Sequence, residues 1–380
     1  MKIVHLSFCG IVTDGWTYQD NLLTKYHKKL GHDVTMITTN WVFDNKGNIK
    51  KVLPTTYINN DGVKIIRLKC TNSKFKRIRG IIDYLRNEKP DVIFIHALQF
   101  LDLRQIIRYK KLNRGVKIYI DQHGDFANSA TNWLSRNILH KIIWKHNAKI
   151  IEPYVEKFWA ITPDCKKMLI KLYKIPENKI GYLFLGADIP ICNNDKQQII
   201  RNRIRNKYKI NSDDIVIITG GKIDSKKNME LLLNAIKKIK KKNIKLIVFG
   251  TLLPEVKSKI EQKFGEDTRV IFVGWIQGTD IIKYYWSADF AVFPGGQSVV
   301  WQQAICAGLP CIFKYHYGIE YLDVGGNCLF LKEDSINELI YKINELFDCN
   351  KRAKMAYIAK TKGKEKFSYE TIAKKSIEEV

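Results

Sequence analysis

Apolar runs of strand length alternate with amphipathic stretches of helix length over nearly the whole chain, the pattern of parallel sheets wrapped by helices. KIVHLSF (2–8), DVTMIT (33–38), VKIIRL (63–68), DVIFIH (91–96), VKIYID (116–121) and KFWAIT (157–162) predict a first set of strands. A polar, strongly basic stretch with one proline begins at Gly186. The series then restarts with IVIITG (215–220), IKLIVFG (244–250), RVIFVG (269–274), DFAVF (289–293), CIF (311–313) and CLFL (328–331). The expectation is an α/β protein of two doubly wound, Rossmann-like domains, residues 1–188 and 189–365, facing a central cleft. A short helix over 366–380 is expected to pack back on the first domain.

Length agrees with two domains, because 380 residues exceed what one core usually supports. A formal charge of +26 favours anionic partners: nucleic acid, acidic lipid headgroups or phosphorylated substrates. A lysine-rich solvated surface with no partner is the other reading. The eight cysteines are too scattered for a CxxC metal site or a disulfide framework, and imply a reducing compartment. No apolar run approaches the ~20 residues of a membrane span, and MKIVHLSFCG reads as a strand rather than a secretion signal. A cytoplasmic protein is expected.

Ligands of doubly wound sheets sit at the carboxyl ends of the strands, so the strand-to-helix loops hold the candidates. GGKIDSKKN, after 215–220, offers Gly221, Lys222 and Lys227 before a helix start, a set that suits a diphosphate; solvated surface lysines are the alternative. After 289–293, Gly295 and Gly296 allow close backbone approach, Gln297 and Ser298 sit at a turn, and Gln303 can hydrogen-bond a sugar or ribose hydroxyl. In the first half, Gly10 and Gly15 frame a loop whose spacing is not that of a GxGxxG phosphate loop. His123 and Asp125 flank a glycine after strand 116–121. On the predicted helix 133–149, the aliphatic arc is Leu134, Ile138, Leu139, Ile142 and Ile143. Trp133 and Trp144 are about 20° apart on a helical wheel, off that arc and beside Arg136, His140 and Lys141. They suit a bilayer surface or a lipid-linked anion, or else two tryptophans packed on loops.

In their order, the first-strand glycine loop followed by KKLGHDVTMIT, the His123-Gly124 pair, LFLGADIP, GGKIDSKKN, VIFVGWIQ and the helix leading to AGLPCIF resemble the retaining glycosyltransferases of the GT-B fold, family four (group 1 type). That family moves a sugar from a nucleotide diphosphate to an acceptor hydroxyl. The resemblance implies that Lys222 and Lys227 hold the donor diphosphate, that His123 lies near the donor sugar, and that Gly15 borders the diphosphate. Trp275, in VIFVGWIQ, falls on the donor side. The family usually has Arg where Lys222 stands; lysine keeps the charge and loses the bidentate fork. The second acid of the family's E-x7-E motif, a ribose contact, falls on Gln303, and the first falls on Gly295 and is missing. Backbone amides near Gly296, Gln297 and Ser298 are then left to hold the diphosphate or sugar.

The implied reaction is transfer from a nucleotide-diphosphate sugar, UDP favoured, to a glycan or lipid-linked acceptor of bacterial surface polysaccharide or lipopolysaccharide, on the inner face of the plasma membrane. No D-x-D is present, so neither a metal nor another cofactor is expected, and the lysines take the metal's place. Retention on one face, and inversion with Asp125 as general base, are both open. Two other readings are a basic nucleic-acid-binding protein, for which no stacking platform or motif is present, and a non-catalytic sugar-nucleotide binder.

Overall fold

The predicted runs become strands because they are near-continuous Val, Ile, Leu and Phe, the composition of strands covered on both faces. The computed structural model describes residues 1–44, 47–70, 77–126, 128–190 and 192–378. The chain divides into two compact units, Met1–Leu185 with the returning Tyr369–Val380, and Gly186–Ser368.

The first unit contains β1 (Lys2–Ser7), β2 (Asp33–Thr39), β3 (Trp41–Phe43), β4 (Ile49–Lys51), β5 (Thr55–Ile58), β6 (Lys64–Leu68), β7 (Val92–His96), β8 (Lys117–Gln122), β9 (Lys157–Ala160) and β10 (Ile180–Tyr182). Eight of them form a sheet in the order β10-β9-β8-β7-β1-β2-β6-β5. Every pair is parallel except β5 on β6, and β3 and β4 make a separate antiparallel pair. These two, with β5 and β10, are absent from the sequence reading because they are three or four residues long, and β4 and β5 carry mostly exposed side chains. Strand order reverses between β1 and β7, a topological switch point. The last helix, Tyr369–Ser376, buries Tyr369, Ile372 and Ala373 with Leu22, Leu23 and Tyr26 of helix Gln19–Lys29.

The second unit is a six-stranded parallel sheet in the order β13-β12-β11-β14-β15-β16. Its strands are β11 (Ile215–Ile223), β12 (Ile244–Leu252), β13 (Val270–Gly274), β14 (Phe290–Phe293), β15 (Cys311–Lys314) and β16 (Cys328–Leu331). The switch point lies between β11 and β14. The sequence reading ended β11 at Gly220 and placed Lys222 in a loop. Instead the strand continues to Ile223, with Lys222 paired to Thr251 of β12. Two glycines make this possible: a Cβ on Gly250 (φ +102) would lie 1.9 Å from the carbonyl oxygen of Gly221, so the two backbones touch where any side chain would part them.

One helical expectation is overturned. Residues Ser135–Trp144 form a π-helix and not an α-helix, so its wider turn rotates the faces away from a 3.6-residue wheel. Trp144 is 4% exposed and packs in the first unit's core, whereas Trp133 (71%), Leu134 (58%) and Ile142 (62%) face solvent. His140 also turns inward, bonded to Ser129 Oγ at 3.1 Å and Tyr173 OH at 2.8 Å, and burial pushes its pKa down to about 4. The acceptor or membrane role assigned to Trp144 is therefore withdrawn.

Candidate active site

At the switch point of the first unit the strands end on polar side chains. His5 and Ser7 of β1, His96 of β7 and Asp121 of β8 are fully or almost fully buried, and register sets Ser7 beside His96 and His96 beside Asp121. Asp121 Oδ2 accepts from His96 Nδ1 at 2.9 Å and Gln19 Nε2 at 3.1 Å, and lies 3.0 Å from His123 Nε2. Its Oδ1 accepts the backbone N–H of Ala97 at 3.2 Å. Ala97 holds a left-handed φ of 67° there, costly for a residue with a Cβ. Asp20, which accepts the Ser7 hydroxyl, comes within 3.6 Å of His96 Nδ1.

Burial alone would neutralise these groups, and their mutual attraction reverses that. For Asp121 burial is outweighed by His123 and His96, holding the carboxyl well below the usual range. For His123 burial opposes the charge, but Asp121 and then Asp20 carry its pKa up to about 9. His123 is therefore a cation at neutral pH, with Nε2 turned to Asp121 and Nδ1–H on the other edge of the ring. Asp20, His96 and His123 also bring one ligand atom each within 4.8 Å of one another, as a metal site would. His96 Nδ1, however, lies 2.9 Å from the Asp121 carboxylate, which only accepts, so that nitrogen carries an N–H and has no lone pair for a metal.

At the switch point of the second unit, Ser225–Lys227 make one 3-10 turn and Asn228 reverses the chain at φ 50° before helix Met229–Lys238. The Lys227 ammonium donates to the carbonyls of Gly296 at 2.6 Å and Gln297 at 3.0 Å, tying the loop after β11 to the loop after β14. Gly295 makes that crossing possible, since a Cβ there would lie 2.3 Å from the Lys226 carbonyl oxygen. Burial lowers the pKa of Lys227, with Asp224 opposing. Gln297 and Gln302 both donate to the Tyr321 hydroxyl, the latter at 2.9 Å. Gln303 Oε1 is shielded from water and has no partner among the described residues.

Two family models match the chain, Glycosyltransferase Family 4 over residues 21–189 and Glycosyl transferases group 1 over residues 200–362, between them most of its length. The chain belongs to the group 1 glycosyltransferases of family four. An uncharacterized glycosyltransferase of Methanocaldococcus jannaschii is 25% identical over 234 residues, which are 57% of this chain and 58% of that one. HepE of Anabaena, solved with UDP, superimposes with a TM-score of 0.68 at 14% identity, over 99% of this chain and 98% of that one. WaaG, described as a glycosyltransferase involved in lipopolysaccharide biosynthesis, superimposes with a TM-score of 0.61 at 14% identity, over 99% and 98%. These likenesses carry the GT-B fold.

In this glycosyltransferase the sequence-derived residues divide by where they stand. His123, Lys227, Gly296, Gln297 and Gln303 stand at the two switch points as described. Gly15 (φ 77) lies in the open loop after β1, and a Cβ on Gly221 (φ 115) in β11 would lie 3.9 Å from Ser298 Oγ. Lys222 is exposed, with no protein partner among the described residues, and Trp275 is 73% exposed just past β13. Others do different work from that expected. Asp125 accepts the backbone N–H of Asn128 at 2.8 Å, a turn-building contact, and the carboxylate that pairs with His123 is Asp121. The Gly296 amide donates to the Lys226 carbonyl at 2.8 Å and is engaged within the protein. Asp20, His96, Asp121, Gln302 and Tyr321 were not foreseen. For His96 and Asp121 the signal is a polar residue closing an otherwise apolar strand, as in DVIFIH and VKIYID; Asp20, Gln302 and Tyr321 lie in helical segments and give none.

Proposed function

We propose that this protein transfers a sugar from a UDP-sugar to a glycan or lipid-linked acceptor of a bacterial surface polysaccharide or lipopolysaccharide, with retention and without a metal. The observation that carries the reading is Lys227, a half-buried ammonium fixed on two loop carbonyls at the second unit's switch point. A leaving diphosphate gathers negative charge in the transition state, and a cation already desolvated and held in place stabilises that charge without reorganising. Lys222 adds an exposed second cation, and Gln303 Oε1 accepts from a ribose hydroxyl in place of the family's acid. His123, protonated, donates from Nδ1 to an oxygen of the donor. With Asp125 engaged in its turn, retention is favoured, the departing phosphate taking the acceptor proton. UDP is supported by the HepE complex, and the acceptor class by WaaG.

A thermal-shift screen against UDP, GDP, dTDP and CMP sugars tests this. A UDP-sugar at about 100 times its Kd is expected to add about 2.7 kcal/mol of apparent stability, and the other three less. Absence of a shift with every nucleotide sugar would remove the support for a donor site.

Peripheral attachment to the inner leaflet is part of the proposal. Among the described residues no helix is long and apolar enough to cross a membrane. Trp133, Leu134 and Ile142 are instead exposed on one short helix, with Arg136 and Lys141 on the same segment, the composition of an interfacial element. Co-sedimentation with vesicles rich in anionic lipid is expected, weakened by salt and reduced several-fold in Trp133→Ser/Leu134→Ser. Equal sedimentation of variant and wild type places attachment elsewhere.

A further inference from the structure

Behind Asp121 the buried imidazoles continue in a line. His96 Nε2 lies 3.0 Å from His5 Nδ1, His5 Nε2 lies 2.9 Å from His27 Nδ1, and His27 Nε2 lies 3.0 Å from the carbonyl oxygen of Ala373 in the last helix. All three rings are buried, His5 and His27 completely. The two ends of this line have no proton to give. One is the Asp121 carboxylate and the other a peptide carbonyl, and both only accept.

Unless a further donor joins the line, counting protons decides the charge. There are four contacts, Asp121 to His96, His96 to His5, His5 to His27, and His27 to Ala373, and each needs one N–H. Three neutral imidazoles carry one N–H apiece. An all-neutral line would leave one contact with two lone pairs facing each other inside the protein, where an unmade hydrogen bond costs most. We propose that the His27–His5–His96 line carries one excess proton, held on His96, and that this buried imidazolium is a positioning residue that fixes Asp121 and, through it, His123.

The groups around His96 agree with that location. It is faced by Asp121 and His123 from the β8 end, Asp20 from helix Gln19–Lys29, and His5 and Ser7 from β1. Two carboxyl groups, Asp20 and Asp121, stand against the two imidazoles of His96 and His123, so the cluster matches acids and bases in number. The carboxylates favour charge on His96, while burial and then the neighbouring rings hold His5 well below its ordinary value, and burial brings His27 to about 3. In this arrangement His5 and His27 are both Nε2–H tautomers, every bond pointing from His96 towards the last helix. Ser376 offers the one competing arrangement. Its Oγ lies 3.0 Å from His27 Nε2 and 2.8 Å from Ala373 O, so its hydroxyl proton could serve His27 and leave the line neutral.

The proton count stands apart from the reaction, and only the consequence for His123 rests on the glycosyl-transfer reading. The test is therefore spectroscopic first. In the full chain labelled with [15N]histidine, at neutral pH, both nitrogens of His96 are expected at imidazolium shifts, and His5 and His27 each with a protonated Nε2 and a bare Nδ1. Ser376→Ala should leave the His27 tautomer unchanged. A bare nitrogen on His96, a wild-type His27 that is Nδ1–H and switches to Nε2–H in Ser376→Ala, or one equivalent of tightly bound divalent metal in the purified protein each overturns the proposal. Should His96→Gln fold poorly, His5→Phe cuts the same line without touching the site, and His96 is expected to become a neutral Nδ1–H ring. A His96 still doubly protonated there refutes the counting argument. In His96→Gln, kcat is expected to fall at least about tenfold with donor KM changed less than about threefold. Unchanged kcat alongside the expected 15N pattern rejects the positioning role alone.

Discussion

Lys227→Met is expected to abolish the thermal shift given by a UDP-sugar and to lower kcat/KM by about 10²- to 10³-fold, the scale of losing one preorganised electrostatic donor. Methionine keeps the aliphatic bulk and removes the charge, so a stability change of at most a few kcal/mol separates lost binding from lost folding. The effect is large because the ammonium does two things at once. It offers its charge to the ligand, and it ties the Gly296 and Gln297 carbonyls, which sets the amides of Gln297 and Ser298. Lys222→Met, by contrast, removes an exposed and untethered cation and should cost less than a tenth as much. Equal losses from both, measured by initial rates, would mean that the pinned geometry of Lys227 is irrelevant.

Asp121→Asn is expected to cost about 3–5 kcal/mol of stability, as when one member of a buried ion pair is removed, together with most of the activity. The pH dependence identifies the cause. The depressed folded pKa of Asp121 means its contribution is present above the unfolded carboxylate value, about 4, and lost as pH falls below it. His123, raised to about 9, contributes fully below its unfolded value of about 6.5 and loses that contribution as pH climbs through about 9. The gap between wild type and Asp121→Asn should therefore be widest between about pH 4 and 6.5 and narrow on both sides. Urea denaturation of the two proteins across that range measures it, and a gap constant with pH would mean that ionisation is not what Asp121 contributes.

Fold class was legible because the strands that build both sheet centres are long apolar runs, and length decides strand against helix only when flanking turns are clear, as they are around DVIFIH and IVIITG. What the sequence hid was short, wet or irregular. The edge strand Thr55–Ile58 has no apolar run, and the π-helix at Ser135–Trp144 shares its composition with an α-helix while facing its side chains differently. For the site, loops after strands point to His123 and Lys227, and the structure places both at switch points. Asp121 escaped because it closes a strand instead of opening a loop, and Asp125, two residues beyond His123, looked the better partner in one dimension. Only the register of β7 and β8 shows that His96 and Asp121 are neighbours.

The return of Tyr369–Ser376 to the first unit ties completion of that unit to synthesis of the second. A nascent chain that has emerged only as far as β10 lacks the carbonyl that takes the His27 proton and the apolar face that covers Leu22 and Leu23. Half of the molecule waits, incomplete, until the ribosome has finished the other half.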